Sequence, residues 1–376
     1  MLFLSVILTK VFLISSHPAP APQIGSLSEA LKEEGIEYEI LATEEAYRSL
    51  EKLKYPVNNF YLGEKPLASL PDLEAEKIAE EVADRCQEGH AVMTDVGSPI
   101  TARIQRILAK KYPHITRIAY YENPESFVPG GYSEMAGRVL PYSQVVLFAN
   151  ANLANQPIYE QKPGSRINML GKKCIGLGFS SLPQEVEKLK ELRADASQRR
   201  AAFLQNHGIQ DRGQKIAIYF GGANEVYYEK AFPAFLEMLS KSTTPDMTVF
   251  IQQHPRSVRE GNRDGKLLEK TSTKQQVVIS KAEFDEALAV ADLALYYQTG
   301  ANAKFVLSGI PTLQIGHETF SDILVKNGFC PSVTTAEQFE EVMKSNFKMV
   351  PDETKIYQLL GVQPDWKARF ITALKK

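Results

Sequence analysis

Short apolar runs and longer amphipathic stretches take turns along most of this chain, with the spacing of strands and helices. The first run, "KVFLISS" at residues 10–16, is rich enough in β-branched and aromatic side chains for a buried strand. A proline-rich loop, "HPAPAP", follows it, and then a helical stretch, "SLSEALKEEG", with Ser26 placed to cap it and Gly35 to stop it. The strand "EYEILA" completes a β-α-β unit. The alternation continues through helix "DLEAEKIAEEVADRCQEG", strand "HAVMTD", helix "PITARIQRILAKKYP" and strands "ITRIAYY" and "QVVLFAN". Short apolar strands separated by long helices specify a mainly parallel sheet covered on both faces.

Between about residues 155 and 212 the pattern loosens into "NQPIYEQKPGSRINMLGKKCIGLGFSSLPQ" and a strongly charged helix, "EVEKLKELRADASQRRAAFLQNHG". Alternation then restarts with strand "KIAIYF", turn "GGAN", a helix through "YYEKAFPAFLEMLS", and strands "MTVFIQQ" and "QQVVIS". Helix "EFDEALAVA", strand "DLALYY", helix "GANAKFVLSG" and strand "PTLQIG" follow, and the final stretch is amphipathic in two pieces. The expected fold is α/β, two Rossmann-like domains with a cleft between them. The 376 residues agree with this, because domains run to about 100–200 residues. The expected boundaries are an N-terminal domain over 1–160, a linker and charged helix over 161–212, a C-terminal domain over 213–350, and a helical segment over 351–376 that could cross back to the first domain.

Composition narrows the class. Apolar content of 44%, charged content of 23% and a net charge of −2 are those of a soluble globular protein with no overall pull toward nucleic acid or anionic membrane. Cys86, Cys174 and Cys330 are widely spaced, which indicates neither a disulfide framework nor a zinc site, and a cytoplasmic, reducing location is expected. The start, "MLFLSVILTKVFLISSHPAPAP", has an apolar run and an Ala-Pro-Ala, but Lys10 interrupts it and no basic segment precedes it, so a strand is expected there rather than a secretory leader or a membrane span. The charged stretch "RSVREGNRDGK" lacks interleaved aromatics and contains Glu260 and Asp264, which suits a solvated loop better than a nucleic-acid patch.

In open α/β sheets, ligands bind outside the carboxyl ends of the strands. In the second half those ends carry "GGAN" at 221–224, "HPR" at 254–256, "QTGAN" at 298–302 and "GHE" at 316–318. Gly221 and Gly222 permit close backbone approach to a phosphate, Gln298 and Thr299 offer an amide and a hydroxyl, and Gly300 opens the next helix. His254 can donate to a phosphate oxygen and Arg256 adds a fixed charge. Singly, each loop has a plainer reading as a turn or a helix cap. Three such anion-suited loops on neighbouring strand ends are less easily dismissed as unrelated turns.

The block "FIQQHPR … ISKAEFDEALAVADLALYYQTGANAKFVLSGIPTLQIG" resembles the nucleotide-binding half of GT-B-fold glycosyltransferases and the non-hydrolysing UDP-N-acetylglucosamine 2-epimerases. The match spans about residues 215–316: a His-Pro after a strand, Ala291-Asp292 opening a strand, Thr299-Gly300 opening a helix, and Gly309-Ile310-Pro311 leading to the last strand. It departs from the epimerases at Gln298, where they carry an aspartate, and at "GHETF", where they have an acidic cluster. The resemblance therefore implies a glycosyltransferase using a nucleotide-sugar donor and a carbohydrate or lipid-linked acceptor, as in cell-surface polysaccharide biosynthesis. A same-fold epimerase or hydrolase and a non-catalytic nucleotide-sugar-binding protein are the alternatives.

Such transferases use no cofactor and need no metal, and this sequence has no Asp-x-Asp motif, no Gly-Lys-Ser/Thr phosphate loop and no third glycine in "GLGFSS" for a dinucleotide fingerprint. The resemblance implies a donor site of Gly221, Gly222, His254, Arg256, Gln298, Thr299 and Gly300. A general base is expected from the first domain, facing the nucleotide across the cleft: Asp95 after its strand, or Glu122 in "YYENPESFVPGGY". His17 and Glu125 are candidate contacts to acceptor or sugar.

Overall fold

The computed structural model describes residues 10–125, 132–155, 158–162, 165–168, 172–243, 246–259, 261–316, 322–345, 347 and 350–375. The chain divides into two compact units, residues 1–181 with 357–376, and residues 182–356. The first contains β1 (Val11–Ser15), β2 (Tyr38–Ala42), β3 (Val57–Asn59), β4 (Ala91–Asp95), β5 (Thr116–Tyr121), β6 (Val145–Phe148), β7 (Ile158–Lys162), β8 (Ser165–Asn168) and β9 (Lys173–Gly176). The second contains β10 (Lys215–Phe220), β11 (Met247–Gln252), β12 (Gln276–Ile279), β13 (Leu293–Tyr296), β14 (Thr312–Ile315) and β15 (Ser332–Val333).

Each unit is built on one parallel sheet. The first has the order β3-β2-β1-β4-β5-β6-β9 and the second β12-β11-β10-β13-β14-β15, while β7 and β8 form a separate antiparallel pair. These are two Rossmann-like halves, in which the strand order reverses at β1/β4 and at β10/β13. Strand β1 shows why its run is apolar throughout: Val11 and Leu13 join a core with Ile24, Leu27 and Leu31, while Phe12 and Ile14 join another with Val82, Ile104 and Leu108. Alternate side chains point to opposite faces, and helices cover both.

Several elements differ from the reading of the sequence. The "PAP" of the supposed loop is the first turn of the helix Ala21–Glu33, where a proline's missing N–H costs nothing. The reading of the sequence named neither the helix Glu44–Lys52, whose buried Ala46 and Leu50 lie four residues apart on one face, nor the three-residue strand β3. The loosened region supplies β7, β8 and β9, and its charged helix is two helices, Leu182–Ala194 and Ala196–Asn206, broken at Asp195. The "solvated loop" after His254 folds into two short helices, Pro255–Arg259 and Arg263–Leu268, and Asp264 is buried rather than solvated. The residues before Lys10 lie outside the described part, and among the described residues no helix is long and apolar enough to cross a membrane.

The final helix, Trp366–Leu374, belongs to the first unit. Trp366, Phe370, Ile371 and Leu374 enter the core that Val11 and Leu13 share with Ile24, and Lys173 Nζ donates to the carbonyl of Thr372 at 2.9 Å. Phe370 is fully buried in that core. Phe370→Ala is therefore expected to destabilise the first unit by about 3–5 kcal/mol, read as a lower urea midpoint; a loss of under about 1 kcal/mol would mean the helix is not part of that core.

Candidate functional site

Register brings the candidate residues of the second unit together. Phe220 of β10 pairs with Gln252 of β11 on one side and with Tyr296 of β13 on the other, so these three residues lie at one level of the sheet. Gly222, His254 and Gln298 each follow that level by two residues. The loops after β10 and β13 flank the point where strand order reverses, and they are joined by the Asn224 side-chain amide, which donates to Gln298 Oε1 at 3.3 Å.

Among the described residues, the backbone N–H groups of Gly221, Gly222, Ala223, Asn224, Gln298, Thr299 and Gly300 donate to no backbone carbonyl outside the regular elements. N–H groups left without a backbone acceptor can donate to an anion. The following helices, Pro255–Arg259 and Asn302–Leu307, are short, so loop amides and side chains rather than long helix dipoles supply the positive field. Thr299 Oγ1 accepts from the Ala301 N–H at 3.2 Å, which leaves its own hydrogen to donate.

The glycines also have a packing reason. A Cβ at Gly221 would overlap the Tyr227 hydroxyl, and one at Gly222 would lie 3.1 Å from Tyr227 Cβ and 3.2 Å from Tyr297 Cδ1. Tyr227 opens one π-helical turn, Tyr227–Ala231, ahead of the helix Phe232–Lys241, and its ring stacks on Tyr297 at 5.7 Å between centroids. His254 is half-buried ahead of its short helix, and its carbonyl accepts from the Ser257 N–H at 2.8 Å. The side chain of Arg256 lies outside the described residues, as does most of "GHETF".

The first unit gathers its candidates at its own reversal point. Asp95, at the end of β4, is fully buried, and its Oδ2 accepts from the Ser15 hydroxyl at 3.0 Å and from the N–H groups of Ser16 and His17 at 2.7 and 3.2 Å. The carboxylate thus holds the turn that leaves β1. Burial pushes its pKa above the ordinary carboxylate range, while those donors and His17 pull it back. His17 Nδ1 stands 3.6 Å from Glu122 Oε1 and accepts from the Ala19 N–H at 3.4 Å. Burial lowers the His17 pKa below its ordinary value, with Asp95 opposing, so the imidazole is neutral near pH 7. Glu125 lies further along the same loop, where its carbonyl accepts from the Tyr121 hydroxyl at 2.8 Å.

Asp95, His17 and Glu122 therefore form one cluster, in which the histidine side chain, 38% exposed, is the accessible member. Sequence reasoning passed over Ser15 and Ser16 and gave Asn224 no role of its own within "GGAN"; the polar pair closing an apolar strand and the asparagine closing that turn were the available signals. A cavity of about 450 Å³ opens elsewhere on the first unit, beside Asn152, Cys174, Gln363 and Arg369, and touches none of the candidate residues. Among the described residues no group of three His, Cys, Asp or Glu side chains could hold a metal ion.

No protein-family model matches the chain, and no curated protein matches it by sequence. Solved structures match it in fold over nearly its whole length. UDP-GlcNAc 2-epimerase from Methanocaldococcus jannaschii superposes with a TM-score of 0.62 at 13% identity, covering 97% of this chain and 98% of the other. The Neisseria meningitidis UDP-GlcNAc 2-epimerase bound to UDP-GlcNAc gives 0.59 at 15% identity, with 97% and 99% covered. The N-terminal domain of Candida albicans trehalose-6-phosphate phosphatase gives 0.60 at 12% identity, with 100% and 98% covered. The chain thus has the GT-B-like fold of two Rossmann-like units, as the resemblance implied.

The His17 environment sets a pH dependence. Its folded pKa lies below the unfolded value of about 6.5, so the stability its neutral form contributes is present above that value and is lost as pH falls through the folded pKa. Asp95 works the other way, its raised folded pKa favouring the native state as pH falls. Urea unfolding of wild type and His17→Gln at about pH 7.5 and 5.5 isolates the histidine: wild type should lose stability relative to the variant on acidification. An unchanged gap between the two would show that His17 is not held neutral by burial.

Proposed function

We propose that the chain is a glycosyltransferase that moves a sugar from a nucleotide-sugar donor to an acceptor hydroxyl. One observation carries this reading: at the strand-order reversal of the second sheet, two loops joined by Asn224 and Gln298 present free backbone N–H groups at the level of His254. That is a site for a diphosphate. The first unit supplies the complementary chemistry, a neutral imidazole beside a carboxylate. In the tautomer that gives up the Ala19 contact and carries its proton on Nδ1, facing Glu122, His17 presents a lone pair on Nε2 that can take the proton of an acceptor hydroxyl. The acceptor oxygen then bonds to the anomeric carbon as the carbon–oxygen bond to the diphosphate breaks. His254, Thr299 and the loop amides meet the charge that develops on the departing diphosphate, in place of a divalent ion.

In this reading Asp95 acts through the turn it holds: it positions His17 rather than touching substrate. A second reading, a nucleotide-sugar epimerase or hydrolase, is favoured by the fold neighbours described as UDP-GlcNAc 2-epimerases. It differs in one measurable respect, that its product forms without an acceptor. A non-catalytic binding protein would bind donor and consume none.

The test begins with melting temperatures of wild type and His254→Ala in UDP, GDP, ADP, CDP and CMP. A ligand at 100 times its Kd stabilises the folded protein by about 2.7 kcal/mol. One nucleotide should raise the wild-type Tm and raise that of the variant much less, and with the matching sugar donor His254→Ala should lower kcat by roughly 100-fold or more. Folded wild type that responds to none of the five would overturn the reading. Consumption of donor at the same rate with and without acceptors would replace transfer by the second reading.

A further inference from the structure

A buried carboxylate behind the second unit's loops has no role in the chemistry described so far. Asp264, 1% exposed, sits in the helix Arg263–Leu268 and gathers side chains from both anion-suited turns. Its Oδ1 accepts from the Tyr227 hydroxyl at 2.9 Å. Its Oδ2 accepts from the Ser257 hydroxyl and from the Gln253 side-chain amide, the latter at 3.3 Å. The same Gln253 amide donates to Asn262 Oδ1 at 2.6 Å, which ties the end of β11 to the cap of the Asp264 helix.

Each arm reaches a candidate ligand-binding turn. Tyr227 packs against Gly221 and Gly222 so closely that no side chain fits at the first, and its N–H donates to Asn224 Oδ1 at 2.8 Å. Asn224 in turn holds Gln298. On the other arm, the Ser257 N–H donates to the His254 carbonyl, so fixing Ser257 fixes the turn that carries the histidine. Arg263, next to Asp264, lies over the Tyr228 ring at 3.9 Å and pairs with Glu225 at 2.7 and 2.8 Å, which anchors the Asp264 helix to the segment after "GGAN".

We propose that Asp264 is a positioning residue that locks the Gly221–Asn224 turn and the His254 turn into one preformed cradle for a diphosphate. The two turns leave different strands, and their backbones share no ladder beyond the level of Phe220 and Gln252. A buried acceptor that takes hydrogen bonds from both sets their spacing before ligand arrives, and a preformed site loses less entropy on binding. The diphosphate rests on the nucleotide-sugar reading; the locking of the two turns does not.

The experiment uses the full chain as wild type, Asp264→Ala, Asp264→Asn, Tyr227→Phe and Ser257→Ala. Hydrogen exchange is followed by mass spectrometry on peptides spanning 221–228 and 253–262, and UDP affinity by calorimetry. Tyr227→Phe should speed exchange in the first peptide, Ser257→Ala in the second and Asp264→Ala in both, by about tenfold, with the strands of the sheet unchanged. Asp264→Ala should weaken UDP binding at least about tenfold. Asp264→Asn should recover most of it, because its amide oxygen still accepts from one hydroxyl and its NH2 can donate to the other.

Exchange in Asp264→Ala equal to wild type in either peptide would overturn the proposal, as would a general rise across all strands, which marks simple destabilisation. Wild type that does not bind UDP would count against a uridine nucleotide donor, and the exchange data would then decide the locking alone. If Asp264→Ala does not fold, the two single-arm variants decide it: each must loosen its own turn more than the other.

Discussion

Both halves of this protein depend on one topological constraint. The strand laid down first in each sheet, β1 or β10, has its successor on one side and the fourth strand of the series on the other. Right-handed crossovers then carry the chain away from these two neighbours in opposite directions, and the loops at their carboxyl ends diverge. The divergence leaves a concavity that the sheet does not fill. Whatever residues follow the last ladder pair at that point face it, so the register of a few apolar positions decides which polar groups meet: Phe220 with Tyr296 and Gln252 in one sheet, Ile14 with Thr94 in the other.

The two concavities are finished with opposite chemistry. In the first, Asp95 is drawn in and saturated on one oxygen by Ser15, Ser16 and His17, and Glu122 stands close to the histidine ring. Two carboxyl groups at that point make it a poor host for a phosphate and a good one for a group that gives up a proton. In the second, the residues at the loop tips are glycines, amides and a threonine, with backbone N–H groups left over. The nearby carboxylates are taken up by neighbouring groups: Asp264 accepts from Tyr227, Ser257 and Gln253, and Asp322 accepts from Tyr296 and Asn302. A negative ligand is therefore attracted by one concavity and opposed by the other.

Most of this fold was legible in the chain, because strands buried on both faces must be apolar throughout and helices between them must alternate. "KVFLISS", "KIAIYF" and "DLALYY" each became a central strand. What escaped had weak local signals for identifiable reasons. The three-residue β3 is too short to show a period, and the two helices after His254 are too short to show one of theirs. Asp264 looked solvated because a charged residue among charged neighbours gives no sign of burial; only the folded chain shows that Tyr227 lies against it. Of the candidate site, the strand ends could be foretold from topology, whereas the role of Asp95 could not. Its position after a strand suits a base or a turn-holding acceptor equally, and the choice depends on how many N–H groups converge on it.

Gln298 bears most directly on the choice between transfer and epimerisation. An aspartate there could accept or relay a proton, whereas a glutamine amide can do neither at neutral pH. In this chain the Gln298 oxygen is taken up by the Asn224 amide, so the residue spans the concavity as a neutral brace and adds no charge that would repel a diphosphate. In the proposed reading the second unit would hold the nucleotide and release it, while the proton-moving groups, His17 and Glu122, belong to the first. An enzyme that rearranges the sugar of its own donor needs acid and base chemistry aimed at that sugar; one that passes the sugar on needs a single base for the incoming hydroxyl. In the proposed reading one base, His17, faces the acceptor and the second unit adds no acid or base of its own, which is the physical ground on which transfer is proposed over epimerisation.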